Sequence, residues 1–396
     1  MNFFRKAIFT VILISLTGIS IFAGGPSARK TAAIAAVKKR IVRNIVKKNH
    51  TQKSKSQSIK VVEQIPLEIC PIIYHPSYNV TLWGLEKLHP FDAAKYGKVH
   101  QHIKDHIPHE RVRLYTPSKA TDAQLRLVHS QDFLESLQNP KAVARITEIP
   151  FVSLLPNFLV QSKFLNPMKY ATGGTIIGAE KALQYGCAIN IGGGFHHAKP
   201  ESGEGFCVYA DIPIAIKSLW KKYPKLKVMV VDLDAHQGNG HEVALKDHVL
   251  LKSEIGRKNK KRVAIFDIYN GYIYPGDKEA KKYITFDFPV KRGITDDHYL
   301  GILQDELPKA IQIFKPDLII YNAGTDIYKE DPLGFMSISA EGIIARDQFV
   351  VSHARAHNIP LLMVLSGGYT RKSADIISRS IETIIMGKAS DSNKKK

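Results

Sequence analysis

Cysteine is scarce: the chain of 396 residues has three, at Cys70, Cys187 and Cys207. An odd number without paired spacing excludes a disulfide framework and a Cys-rich metal motif. Cys207, in an apolar stretch flanked by glycine, is expected to act as a small buried hydrophobe. Acidic residues are missing from the first sixty positions, where 13 Lys and Arg stand without one Asp or Glu. The formal charge of +20 therefore belongs largely to a leader, because residues 61–396 set 43 basic groups against all 36 acidic ones. Charge so placed serves targeting or surface attraction before catalysis. Internal repeats are also lacking, as is any second linker comparable to the one ending near residue 60. What remains is an ordinary globular composition, 44% hydrophobic and 23% charged. We divide it into a leader at 1–60, one catalytic-sized domain at 61–390 and a basic tail at 391–396 ending in Lys394, Lys395 and Lys396.

The leader is composite. Arg5 and Lys6 precede an apolar stretch from Ala7 to Ala23, followed by Gly24, Gly25 and Pro26. That order is expected of a secretory signal or a retained membrane anchor, and hence of an exported or anchored protein. Ile34, Val37, Ile41 and Ile45 then recur at helical spacing among Lys38, Lys39, Arg40, Arg43, Lys47 and Lys48. A basic amphipathic segment within 29–60 can lie on anionic lipid, contact nucleic acid, direct a protein to the nucleus, or remain a solvated spacer.

Beyond the leader, short apolar runs alternate with stretches of helical pattern. The runs are Cys187–Ile191, Val228–Val231, Arg262–Ile268, Leu318–Tyr321 and Leu361–Leu365. Helices are expected over Tyr170–Tyr185, Ile212–Lys222, Asp297–Phe314 and Ala340–His357. This alternation predicts an α/β fold, a mainly parallel sheet covered by helices on both faces. In such folds reactive groups gather at the carboxyl ends of strands.

Those ends carry the chemistry here. Val228–Val231 runs into Asp232, Asp234 and His236, spaced by two and so directed to one side of an extended chain. Two carboxylates and an imidazole at the end of a buried strand are costly without a cation, and the donor types suit zinc. Other strand ends lead into Gly194-Phe195-His196-His197, into Asn322-Ala323-Gly324-Thr325-Asp326 and into Ser366-Gly367-Gly368-Tyr369. His100, His102, His106 and His109 form a further cluster that reads either as a second metal site or as a solvated helix surface.

Together the segments His196–Cys207, Asp232–Gly240, Ala323–Asp326 and Ser366–Tyr369 resemble the zinc-dependent histone deacetylase family. Gly84–Asp92, Tyr269-Asn270 and Tyr274–Asp277 bring the resemblance nearest to its class IV branch, over roughly Ile73 to Gly387. It implies the three-layer arginase/deacetylase-like fold and one Zn2+ held by Asp234, His236 and Asp326. It implies His196 and His197 as proton carriers, the second as main general base and then acid, with Asp232 orienting His196. Tyr369 would donate to the developing oxyanion, while Gly205, Phe206 and Tyr274 would line a tunnel for acyl-lysine. A potassium ion near Asp232, Asp234 and His236 is also implied. Asn239 stands where many members carry Asp as partner of the second histidine. An amide accepts the imidazole N–H without adding negative charge, so a readily neutral His197 is expected. Related binuclear hydrolases have a carboxylate two residues past the strand-end histidine; here that residue is Gly238, which favours one metal.

The expected activity is hydrolysis of N6-acyl-lysine amides in proteins or peptides, histones among them, by a deacetylase or a defatty-acylase. The alternatives are a deacetylase of acetylpolyamines or other small amides within the same superfamily, and a catalytically inactive binding protein. A monomer is compatible with these features.

Overall fold

The computed structural model describes residues 68–80, 92 and 94–387. Its frame is one eight-stranded sheet in which every pairing is parallel, in the order β2-β1-β3-β8-β7-β4-β5-β6. The strands are β1 (Cys70–Ile73), β2 (Val112–Tyr115), β3 (Cys187–Asn190), β4 (Val228–Asp232), β5 (Val263–Asn270), β6 (Phe286–Val290), β7 (Leu318–Asn322) and β8 (Leu361–Val364). The five expected strands are all present, shifted by one or two residues at their ends.

The interior strands are apolar on both sides because both faces are covered. Met229 and Val231 of β4 pack into one hydrophobic cluster, and Val228 and Val230 into the other. The first cluster is closed by α1 (Lys95–His106), α5 (Asp296–Phe314), α6 (Ala340–Ala356) and α7 (Ser373–Met386). The second is closed by α2 (Asn166–Tyr185), α3 (Asp211–Lys222) and α4 (Asn239–Leu245), together with the short helical segments of 120–165. This is the three-layer α/β architecture expected from the alternation. β2 and β6 are the two edges; β6 carries Pro289, whose missing N–H an edge strand tolerates.

Apolar strands terminate along a common line. Asp232 of β4 is in register with Asp267 of β5 and with Asn322 of β7. Asn322 is in register with Val364 of β8, and Val364 with Asn190 of β3. Across this line stand the buried polar groups Asn190, Asp232, Asp267 and Asn322 with Val364 among them, and the loops that follow build the site.

Among the described residues no helix is long and apolar enough to cross a membrane. This corrects the expectation of an exported or membrane-anchored protein: the helices of the fold spend their apolar faces on the sheet. The segment Ala7–Ala23, the basic stretch 29–60, most of the Gly84–Asp92 motif and the Lys394–Lys396 tail lie outside the described residues.

Candidate active site

β4 ends at Asp232, and the chain then turns through Asp234 and His236, all buried. Asp326, four residues after β7, approaches the same point. His236 Nδ1 lies 3.1 Å from Asp234 Oδ1 and 2.9 Å from Asp326 Oδ2. One donor atom from each of these three residues falls within 4.8 Å of the others, and among the described residues no other such group converges. The remaining carboxylate oxygens are tied down. Asp234 Oδ2 accepts from Ser366 Oγ and the Gly367 N–H, both at 2.9 Å. Asp326 Oδ1 accepts the Ala235 N–H at 2.9 Å. Arg346, wholly buried, donates through Nη1 to the carbonyls of Leu233 (2.9 Å) and Gly324 (2.6 Å), gripping the backbone beside both carboxylates.

The donor set fits a divalent cation. Burial first, then the negative charge of Asp234, pushes the Asp326 carboxyl up to about 7. Two carboxylates so close repel one another, and a bound cation removes that conflict. Oxygen and imidazole donors suit zinc, and three protein ligands leave a position for water or substrate. A bridging carboxylate for a second catalytic metal does not fit at Gly238. A Cβ on Gly238 would stand 2.4 Å from His241 Nε2 and 2.5 Å from Asp232 Oδ2, so a carboxylate there would collide with both.

The two adjacent histidines are held in different electrostatic states. His196 Nδ1 bonds to Asp232 Oδ2 at 2.9 Å, and Asp232 Oδ1 is fixed by Asn322 Nδ2 at 2.9 Å. Burial alone would depress His196, but Asp234 and Asp232 outweigh it and raise the imidazole to about 9. His197 Nδ1 faces Asn239 Oδ1 at 2.8 Å. Burial, reinforced by the positive charges of His196 and His236, holds His197 well below the usual range. Burial is thus the leading influence toward the neutral His197 expected from the sequence, and the Asn239 bond acts in the opposite direction.

The loop Gly205-Phe206 passes over His197. Gly205 has φ +53°, and a Cβ there would sit 2.5 Å from His197 Cδ2, so only glycine lets the backbone approach this closely. Tyr274 stands edge-on to His197 with ring centroids 5.1 Å apart. Tyr369 follows β8, its ring 5.9 Å from Phe206 and 6.4 Å from His236. Its backbone N–H donates to Asp331 Oδ2 at 2.8 Å. Burial, then Asp326 and Asp234, drive its phenol well above the usual range, so the hydroxyl keeps its proton. Cys207 is buried, as its surroundings in the sequence predict.

These groups open on a cavity of about 130 Å³. His196, His197, Asp234 and Tyr369 stand in its wall beside Tyr96, Ile149, Phe151, Phe164 and Met168. The site residues predicted from the sequence therefore come together. The His100–His109 cluster does not: His102 Nε2 bonds to Glu382 at 3.0 Å and stacks on His106, while His100 stacks on Tyr74.

Sequence reasoning did not find several contributors. Lys95 of α1 is fully buried and donates to the carbonyls of Ser366 (2.9 Å) and Gly367 (3.2 Å), securing the loop before Tyr369. Arg346, Ser366, Asp331 and Asn322 act likewise through backbone or side-chain bonds. Only Ser366 and Asn322 carried a signal, as polar residues directly after or at the end of an apolar strand.

Residues 89–385 match the family model described as histone deacetylase domain. The chain is 45% identical over 325 residues to histone deacetylase 2 of Arabidopsis thaliana, covering 82% of this chain and 81% of that protein. It is 30% identical over 313 residues to an uncharacterised protein of Picosynechococcus, with 78% and 95% covered. It is 27% identical over 296 residues to human histone deacetylase 1, with 71% and 58% covered. The fold, the strand-end site and these likenesses agree: this chain belongs to the histone deacetylase family.

Proposed function

We propose that the chain is a zinc-dependent lysine deacylase that hydrolyses the amide of N6-acyl-lysine in proteins or peptides. The observation that carries this reading is the buried Asp234-His236-Asp326 triad, which reaches through Asp234 the wall of a cavity that also presents His197 and Tyr369. The family is zinc-dependent, and the three side chains would hold one zinc. When bound, zinc supplies Lewis-acid polarisation of the acyl carbonyl and acidifies water. His197, neutral and with Nδ1 engaged by Asn239, offers Nε2 to take a proton from the attacking water and return it to the leaving amine. His196, cationic beside Asp232, stabilises negative charge as it develops. Tyr369 donates its hydroxyl proton to the carbonyl oxygen. Gly205, Phe206 and Tyr274 flank the entering lysine side chain, and the aromatic and aliphatic wall at Tyr96, Phe164 and Met168 accommodates an acyl chain longer than acetyl.

The same reading takes 61–390 as the catalytic domain and places the chain in the class IV branch, on Asn239 and the Tyr274–Asp277 motif. It includes a potassium ion near the backbone of Asp232, Asp234 and His236. In support, the buried Asp267, in register with Asp232, leaves Oδ1 without a hydrogen-bond partner. Comparing kcat/KM for acetyl-lysine peptide, myristoyl-lysine peptide and an acetylpolyamine tests the substrate. Acyl-lysine peptides are expected to be the better substrates, and a preference for the polyamine would overturn the reading.

A further inference from the structure

Asn239 is an amide with two distinguishable ends, and a general base needs one of them. Its Oδ1 faces His197 Nδ1 at 2.8 Å. Its Nδ2 lies 2.6 Å from Glu204 Oε1 and 3.3 Å from Asp277 Oδ2. Ionised carboxylates only accept hydrogen bonds and an amide nitrogen only donates, so the nitrogen must face Glu204 and Asp277. The reversed amide would set oxygen against oxygen at Glu204. It would also turn Nδ2 toward His197 Nδ1, which would then have to accept, leaving the proton on Nε2. That tautomer has no lone pair facing the cavity.

Two carboxylates this close need a cation, and Lys199 supplies it. Its Nζ contacts Glu204 Oε1 at 2.9 Å and Asp277 Oδ2 at 3.1 Å, the same two oxygens that receive the amide. Asp277 is fixed independently. Its Oδ1 accepts the Ala280 N–H at 3.0 Å, and its backbone N–H and C=O pair with the Gln237 side-chain amide at 3.2 and 3.0 Å. The three residues come from two loops: Lys199 and Glu204 from the one between His197 and Gly205, Asp277 from the one after β5.

We propose that Lys199, Glu204 and Asp277 are positioning residues that lock the Asn239 amide in one orientation and thereby set the tautomer of His197. The proposal rests on the deacylase reading for its kinetic consequence but not for its structural content. It also accounts for Asn at 239. An Asp there would place a third carboxylate against Glu204 and Asp277 with a single ammonium between them.

The test uses the full chain. In Glu204→Gln/Asp277→Asn each replacement side chain can either donate or accept, so both amide orientations become accessible. All three positions are partly exposed, so the variant is expected to keep its fold, as checked by its melting temperature. kcat on an acyl-lysine peptide should fall at least about tenfold while KM stays within about twofold. Adding Asn239→Asp to that background should restore most of the lost kcat, because a carboxylate accepts from either end. Alone, with Glu204 and Asp277 present, Asn239→Asp should lower kcat. Imidazole ¹⁵N NMR should find His197 protonated on Nδ1 in the wild type and a mixture of tautomers in the double variant. An unchanged tautomer, or a kcat loss that Asn239→Asp does not restore, would overturn the proposal. The single Glu204→Gln variant, which loses the shorter contact, is read by the same NMR signature if the double variant does not fold. A wild type inactive on acyl-lysine would defeat the deacylase reading and leave the tautomer measurement to decide this one.

Discussion

Replacing Tyr369 by Phe isolates one hydroxyl. The ring contacts with Phe206 and His236 survive, because both are made by the aromatic face and edge. The backbone bond from the Tyr369 N–H to Asp331 also survives, so the loop keeps its anchor. What disappears is a proton donor that burial and the nearby carboxylates keep protonated at neutral pH. A preorganised donor aimed at a developing oxyanion is worth roughly 2.7–4 kcal/mol, or about 10²–10³ in kcat. The interaction strengthens as charge develops, so the loss should fall on kcat and leave KM within about threefold. Steady-state kinetics on an acyl-lysine peptide, with the melting temperature measured in parallel, reads both parameters. A kcat within about fivefold of wild type, or a loss carried by KM in a folded variant, would refute the assignment of Tyr369 as oxyanion donor.

Two further outcomes follow from bonds around the site. Ser366→Ala removes one of the two donors on Asp234 Oδ2, and zinc affinity should fall about 10–100-fold in a chelator competition; a change under about twofold would deny Ser366 that role. His129 accepts the Ala210 N–H at 2.9 Å, and burial, its largest influence, lowers it to about 4. The unfolded chain binds the proton more tightly, so the stability held by neutral His129 is present above its ordinary pKa and is lost as pH falls toward 4. The stability difference between wild type and His129→Gln in urea should therefore shrink by about 3 kcal/mol between pH 7.5 and pH 4, and a difference constant with pH would contradict this.

Five of the six interior strands were legible because their apolar runs stop at a polar residue; β1, four buried residues that include Pro71, was not. Asp232 and Asn322 mark the ends of β4 and β7, and both proved to lie in one row across the sheet. The edges were not legible. β2 has two exposed residues between two half-buried ones, and β6 contains Pro289, so neither presents a buried run. The triad and the histidine pair could be found because each sits next to such a strand end. Lys95 and Arg346 could not, since a single charge on a helix reads as solvent-facing until the partner element that buries it is known. Lys199, Glu204 and Asp277 were visible only as parts of motifs. Their joint action depends on a loop after β5 folding back to the loop after β3, which no local pattern encodes. The expectation of export or anchoring rested on Ala7–Ala23, which lies outside the described residues, whereas no helix among the described residues is long and apolar enough to cross a membrane.

The central claim is that Asp234, His236 and Asp326 hold one catalytic zinc. Elemental analysis of the purified full chain, beside Asp326→Asn assayed in the same way, tests it most directly. The account predicts about one zinc per chain in the wild type, with metal and deacylase activity lost together in the variant while the fold persists. Two metals per chain, none in an active wild type, or a full complement of zinc retained by Asp326→Asn would contradict it.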